Sequence, residues 1–178
     1  MAAIITFVVS VIVLVGADQW IKYIVETSMT VGETIPFIDW LVQWTYVQNR
    51  GASFGILQGQ TWLLVIVTVV MMAVMVYLLA KKKLFHWVGT MAFALIISGG
   101  IGNLIDRLFK GGCVTDYIDI SPLFEFPVFN LADCCITIGE VFLCIYILFL
   151  HEKYEKKAAK AALMQPEDQQ EEIAANEA

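Results

Sequence analysis

WLLVIVTVVMMAVMVYLLA, residues 62–80, decides the fold class. No charged side chain interrupts it. A hydrocarbon core about 30 Å thick needs about 20 helical residues to cross, and this stretch has that length. Lipid offers no partner for free backbone groups, so the stretch must be an α-helix. Working outward, three more segments qualify: Ala2 to Val25, Leu84 to Leu104, and Leu131–Leu150. The whole chain is 59% hydrophobic with a mean hydropathy of +0.73, well above the roughly 45–50% apolar content of soluble domains. The expected class is a membrane all-α protein with four transmembrane helices.

The N-terminal run is read as a resident span. It has no Lys or Arg ahead of its apolar core, no clear A-x-A site behind it, and apolar character that resumes past Asp18. The net charge of −6 is unevenly spread, with 7 of the 17 acidic side chains in residues 151–178. That segment reads as a charged cytoplasmic tail, solvated and disordered beyond about residue 165. Lys81, Lys82 and Lys83 follow the second span, and Lys153, Lys156, Lys157 and Lys160 follow the fourth. The opposite side carries Lys22, Arg50, Arg107 and Lys110. This bias places both termini in the cytoplasm and turns residues 26–61 and 105–130 outward. TIPFIDWLVQWTYVQNRGASFGIL, residues 34–57, mixes aromatic and β-branched residues with polar ones. It predicts short strands, forming a small extracytoplasmic sheet or flap over 26–61. Trp40, Trp44 and Tyr46 suit an interfacial position.

Several function classes fall away. No basic nucleic-acid footprint is present. The four Cys (113, 134, 135, 144) form no C-x-x-C, and His86 and His151 lie far from them, which argues against zinc. The Cys read as small apolar residues.

The polar residues at the outer helix ends carry the information. Intramembrane polar groups are rare and are usually paired or functional. Asp18 and Lys22 stand at i and i+4 in the favourable order for a helix pair, as a clamp or as a substrate-facing lysine. In GNLIDRL (102–108), Asn103, Asp106 and Arg107 share one helix face, with Gly99 a turn earlier as a close-packing position. Arg107, with its fixed fork of donors, suits a carboxylate, backbone carbonyls of 105–115, or substrate. Asn130 and Asp133 have the N-cap and N3 spacing of a helix start. Asp116, in CVTDYID, lies in an outer segment from which the chain returns at Asp133, so the two acids meet at the mouth of the bundle. Two close carboxylates share a proton. One then serves as base on water while the other polarises a carbonyl. On residues alone, a transport or proton-translocating protein remains equally open, and a structural assembly factor is a third class.

The motifs DQWIK (18–22), QNRGASFGI (48–56), GGIGNLIDRL (99–108), VTDYID (114–119) and FPVFNLADCCITIG (126–139) together resemble the bacterial lipoprotein signal peptidase family, also called signal peptidase II. The resemblance covers about residues 1–150. It implies a multi-pass intramembrane aspartyl endopeptidase of the bacterial cytoplasmic (inner) membrane with its site near the extracytoplasmic face. It implies a diacylglyceryl-modified prolipoprotein as substrate, cut just before the lipobox cysteine, and globomycin as inhibitor. By motif, the catalytic pair is Asp116 and Asp133. The supporting residues are Asp18, Lys22, Asn49, Gly51, Ala52, Gly99, Asn103, Asp106, Arg107, Asn130 and Ala132. The family's β-cradle, with a short helix over the site, fits 26–61. No metal or cofactor is implied, the membrane lipid is a partner, and the chain is expected as a monomer. Three features depart from the family: GGC lengthens the connection ahead of VTDYID, Cys134 and Cys135 stand where the family more often has Ser, Thr or Ala, and Glu140 lies seven residues past Asp133 on roughly the same face. Glu140 is expected inside the bundle as a paired carboxyl, or as a group that helps set the proton on the aspartates.

Overall fold

The computed structural model describes residues 2–52, 56–81, 87–150 and 156. Lys82, Lys83, Lys153, Lys157 and Lys160, on which the expected orientation partly rests, lie outside the described residues, as does the expected tail apart from Lys156.

Four helices are long and apolar enough to cross a membrane. They are α1 (Ala2–Ser28), α2 (Thr61–Ala80), α3 (Trp87–Phe109) and α4 (Leu131–Ile145), which continues as a wider π-helical turn over Tyr146–Leu150. α3 runs past the expected end at Leu104, so Asp106 and Arg107 are helical. α3 is the central helix and packs on each of the other three.

The bundle inverts the usual distribution of polarity. Ile12, Val13, Ile66, Val70, Leu148 and Phe149 face outward, whereas Asp18, Lys22, Asn103, Asp106 and Asn130 are buried. An apolar exterior around polar groups suits a lipid solvent, where ionisable groups must face the bundle interior and pair. Small residues make the α3–α4 contact close. A Cβ on Gly99 would collide with the Ala132 carbonyl oxygen, and one on Gly139 would come within 2.9 Å of the Ala92 carbonyl oxygen. Such contacts let backbones approach where no hydrophobic effect drives helices together.

Three strands, β1 (Thr34–Ile38), β2 (Val42–Asn49) and β3 (Val114–Asp119), form an antiparallel sheet in the order β1-β2-β3. The expected strands of 26–61 are therefore present, but the sheet takes its third strand from outside that segment. No helix covers the site within the described residues of 26–61; Ser53, Phe54 and Gly55 lie outside them. The pairs Asn49↔Val114 and Val47↔Asp116 align β2 with β3. Asp116 thus sits on a strand, not on a loose outer segment. The GGC insertion makes the turn into that strand: Gly111 and Gly112 have φ of 65° and 84°, a left-handed conformation that glycine adopts without strain. Tyr46 does not sit at an interface with solvent. It is buried with Val25 and Tyr117 in a small core that also takes in Trp44 and Leu131, while Trp40 is exposed.

Candidate active site

Two ties join β3 to the start of α4. Ile118 and Phe129 exchange backbone hydrogen bonds of 2.7 and 3.0 Å, and the Leu131 amide donates to the Tyr117 hydroxyl at 3.1 Å. They bring Asp116 beside Asn130. At that helix start the expected capping arrangement is complete: the Asp133 amide donates to Asn130 Oδ1 at 2.9 Å, and the Asn130 amide donates to Asp133 Oδ2 at 3.2 Å. The acid also lies where the helix dipole is positive.

Asn130 has a second role. Its side-chain amide donates to Asp116 Oδ1 at 2.6 Å and to Asn103 Oδ1 at 3.1 Å. Asn103 in turn donates to Asp133 Oδ1 at 2.8 Å, and Asn49 donates to Asp116 Oδ2 at 3.0 Å. Both carboxylates are therefore held by amides. No cation hydrogen-bonds to either one among the described residues. Asp116 and Asp133 line one cavity of about 660 Å³, together with Asn49, Ala52, Asn103 and Arg107. Burial, and then the charge of Asp133, push the Asp116 carboxyl up to about 7. Amide donors favour its charged form but do not offset that burial. Asp119, on the same strand, goes the other way. Burial opposes its charge, but hydrogen bonds from Ser121, Thr45 and Gln43 outweigh it and hold the group at about 2.

The remaining expected residues form a layer behind the cavity. Lys22 is fully buried and does not line the cavity, so it is not the substrate-facing lysine of the second expectation. Its Nζ lies 2.9 Å from Asp18 Oδ2, 2.9 Å from Asp106 Oδ2 and 3.0 Å from Asn103 Oδ1. Asp18 Oδ1 accepts the Ala132 amide at 3.0 Å, which explains why that position lies so close to α1. Gly99 and Ala132 are packing positions and do not line the cavity. Arg107 does not bind carbonyls of 105–115. It donates to the Gly51 carbonyl at 3.0 Å, and Gly51 in turn donates to Asn49 Oδ1 at 2.9 Å. Arg107 thereby steadies the loop whose amide holds Asp116. A second cavity of about 640 Å³ lies against Thr61, Trp62 and Gly112 and also touches Arg107, but holds neither aspartate.

Sequence reasoning missed four contributors. Glu26 pairs with Lys110 at 2.5 Å and accepts from Thr115 Oγ1 at 2.5 Å; Lys110 also reaches Asp106 Oδ1 at 2.9 Å. Gln19 donates to Asp106 Oδ1 at 3.3 Å. The signal for Glu26 and Lys110 was available in the i, i+4 spacing of Asp18, Lys22 and Glu26 on α1 and of Asp106 on α3 with Lys110 just past its end. Glu140 is also not where it was expected. It is exposed on α4, outside the bundle.

The sequence model described as signal peptidase (SPase) II matches residues 10–149. The chain belongs to the signal peptidase II family. It is 42% identical over 147 residues to the lipoprotein signal peptidase of Clostridioides difficile (strain 630), spanning 83% of this chain and 97% of that protein. Identity to the lipoprotein signal peptidase of Streptococcus pyogenes serotype M2 (strain MGAS10270) is also 42%, over 83% of this chain and 95% of that protein. A solved bacterial membrane enzyme, determined by the in meso method at 2.3 Å resolution, superposes with a TM-score of 0.76 at 33% identity, covering 80% of this chain and 87% of that one. Membership in a protease family disfavours the transport reading, and the signal peptidase II fold is a multi-pass membrane scaffold with a small sheet at one end.

Proposed function

We propose that this signal peptidase II family member removes the signal peptide from diacylglyceryl-modified prolipoproteins just before the lipobox cysteine, with Asp116 and Asp133 as its catalytic pair. One observation carries the reading: two aspartates from different elements share one cavity and are held only by amides. Asp116 carries the shared proton and polarises the scissile carbonyl. Asp133 accepts a proton from water, which attacks the carbonyl carbon; the proton then passes to the leaving amine. Asn49, Asn103 and Asn130 fix both carboxyl groups, so little reorganisation accompanies the reaction. Ile136 and Ile138 on α4 and Leu64 on α2 give the cavity an apolar wall against which the acyl chains lie.

The lysine bias supports a reading in which the sheet end of the bundle faces outward and both termini lie in the cytoplasm of the source cell, with the enzyme in the inner membrane. Residues 1–150 form the peptidase domain, 26–61 its cradle, and 151–178 a cytoplasmic tail. The enzyme acts as a monomer, in contact with bilayer lipid, and globomycin occupies the same cavity. An assay in vesicles tests this. A diacylated prolipoprotein is cut at the bond before its modified cysteine, the unacylated form is cut far more slowly, and globomycin blocks cleavage. Equal cleavage with and without the diacylglyceryl group would contradict it.

A further inference from the structure

Glu140 has no role in the arrangement above. It stands at the middle of the α4 span, Leu131–Leu150, and is exposed. No described residue gives it a hydrogen bond or an ion pair. Its neighbours Ile138, Val141 and Ile145 are exposed apolar residues of a lipid-facing surface. An ionisable side chain at membrane depth is expensive and calls for a partner. None is present among the described residues, which points to a partner outside them.

The helix identifies where that partner lies. Asp133, Thr137, Glu140 and Cys144 recur at three- and four-residue spacing and form one stripe along α4. Thr137 and Ile138 line the cavity that holds Asp116 and Asp133. Glu140 therefore continues the cavity wall by one further turn, ~10 Å along the helix axis from Asp133. A substrate whose scissile bond reaches Asp133 must lay its preceding membrane segment along this stripe, antiparallel to α4.

We propose that Glu140 is a specificity-determining residue that pairs with a cationic side chain of the substrate's membrane segment. The inference rests on the signal peptidase reading. At 1.5 Å per residue, a position roughly 7 residues before the scissile bond is level with Glu140. A lysine stem extended along the helix axis by about one turn reaches it from roughly 11 residues before the bond, the ion pair offsetting the cost of turning the head away from water. Signal peptides carry a positively charged region ahead of an apolar stretch of about 7–15 residues. Glu140 thus selects substrates with a short apolar stretch, whose first cation falls within that window. Continuity with the cavity wall and opposite charge favour this occupant over a second copy of the chain, which would bring another acid to the same face.

Two diacylated prolipoproteins that differ only by Lys or Gln nine residues before the cleaved bond, reconstituted in phosphatidylcholine vesicles, test the proposal. The parent enzyme cleaves the Lys substrate with kcat/KM about tenfold higher, the worth of one charge-assisted hydrogen bond. Glu140→Gln cleaves the Gln substrate as the parent does and loses the preference. Glu140→Lys prefers a matched substrate with Glu at that position. A parent without preference, or a Glu140→Gln enzyme that keeps it, overturns the proposal. So does a Glu140→Gln substitution that changes the oligomeric state and leaves selectivity unaltered, since the partner is then a second copy. Cleavage of the Lys substrate by the parent is the separate check on the signal peptidase reading: its failure sinks both, while its success without a Lys preference sinks only the role of Glu140.

Discussion

Two groups of carboxylates lie at the same end of the bundle, joined through Asn103, and their environments differ. Asp18 and Asp106 meet Lys22, and Asp106 and Glu26 meet Lys110. Asp116 and Asp133 meet only Asn49, Asn103 and Asn130. A lysine neutralises a buried acid and leaves it nothing to exchange. An amide orients an acid without neutralising it, so the unfavourable charge has to be relieved by a proton. The first group acts as a fastener between α1 and α3. The second is the pair to which the proposed mechanism assigns proton transfer. Neutral donors also hold Asp119 on the same strand, but it is less deeply buried and has no second acid beside it, so it stays at about 2 where Asp116 rises to about 7.

Breaking the second group has the largest effect. Asp116→Asn or Asp133→Asn lowers the cleavage rate by roughly a thousandfold or more, read by single-turnover assay, while the protein still inserts and folds. Breaking the first group acts on stability instead. Lys22→Met leaves Asp18 and Asp106 without their shared cation in a dry site. It costs about 3–5 kcal/mol, measured by thermal unfolding in detergent micelles, and Lys22→Met with both acids changed to Asn recovers most of that loss.

The pH dependence sharpens the comparison. Asp116 binds its proton more tightly folded than unfolded, so its burial is a stability penalty present above pH 7 and relieved as pH falls from about 7 towards 4. The difference from an ordinary aspartate corresponds to about 4 kcal/mol. Asp116→Asn is therefore more stable than the parent at pH 8 and nearly equal to it at pH 4, by thermal unfolding at both values. Asn130→Ala loses a helix cap and the donor to Asp116 together. Stability drops by about 1 kcal/mol and cleavage falls about a hundredfold, read in the same two assays. The smallest effect comes from Asp119→Asn. It weakens the bonds from Gln43, Thr45 and Ser121 by about 1 kcal/mol and leaves cleavage nearly unchanged.

The four spans were legible because lipid enforces one rule on every residue of a crossing segment, and 62–80 obeys it without exception. The start of α4 was legible for a local reason, the three-residue spacing of Asn130 and Asp133. β3 was not, because VTDYID is short and its pairing with β2 is non-local; only the register Val47↔Asp116 reveals it. Lys22 was read as a residue with two possible faces. Its burial depends on Asp106, which is 84 positions away in the chain and beyond any local pattern. The Gly51 carbonyl was not among the expected targets of Arg107 for the same reason, since Gly51 arrives from a different loop. Glu140 was expected inside the bundle because its spacing from Asp133 is helical. That spacing gives the stripe but not whether another helix covers it.

The pH profile of kcat/KM, which reports groups of the free enzyme, tests the central claim that the amide-held pair works by sharing one proton. With a diacylated prolipoprotein as substrate, cleavage declines on the alkaline side with an apparent pKa of about 7, as Asp116 loses its proton. A rate that stays flat from pH 6 to pH 9 would contradict it.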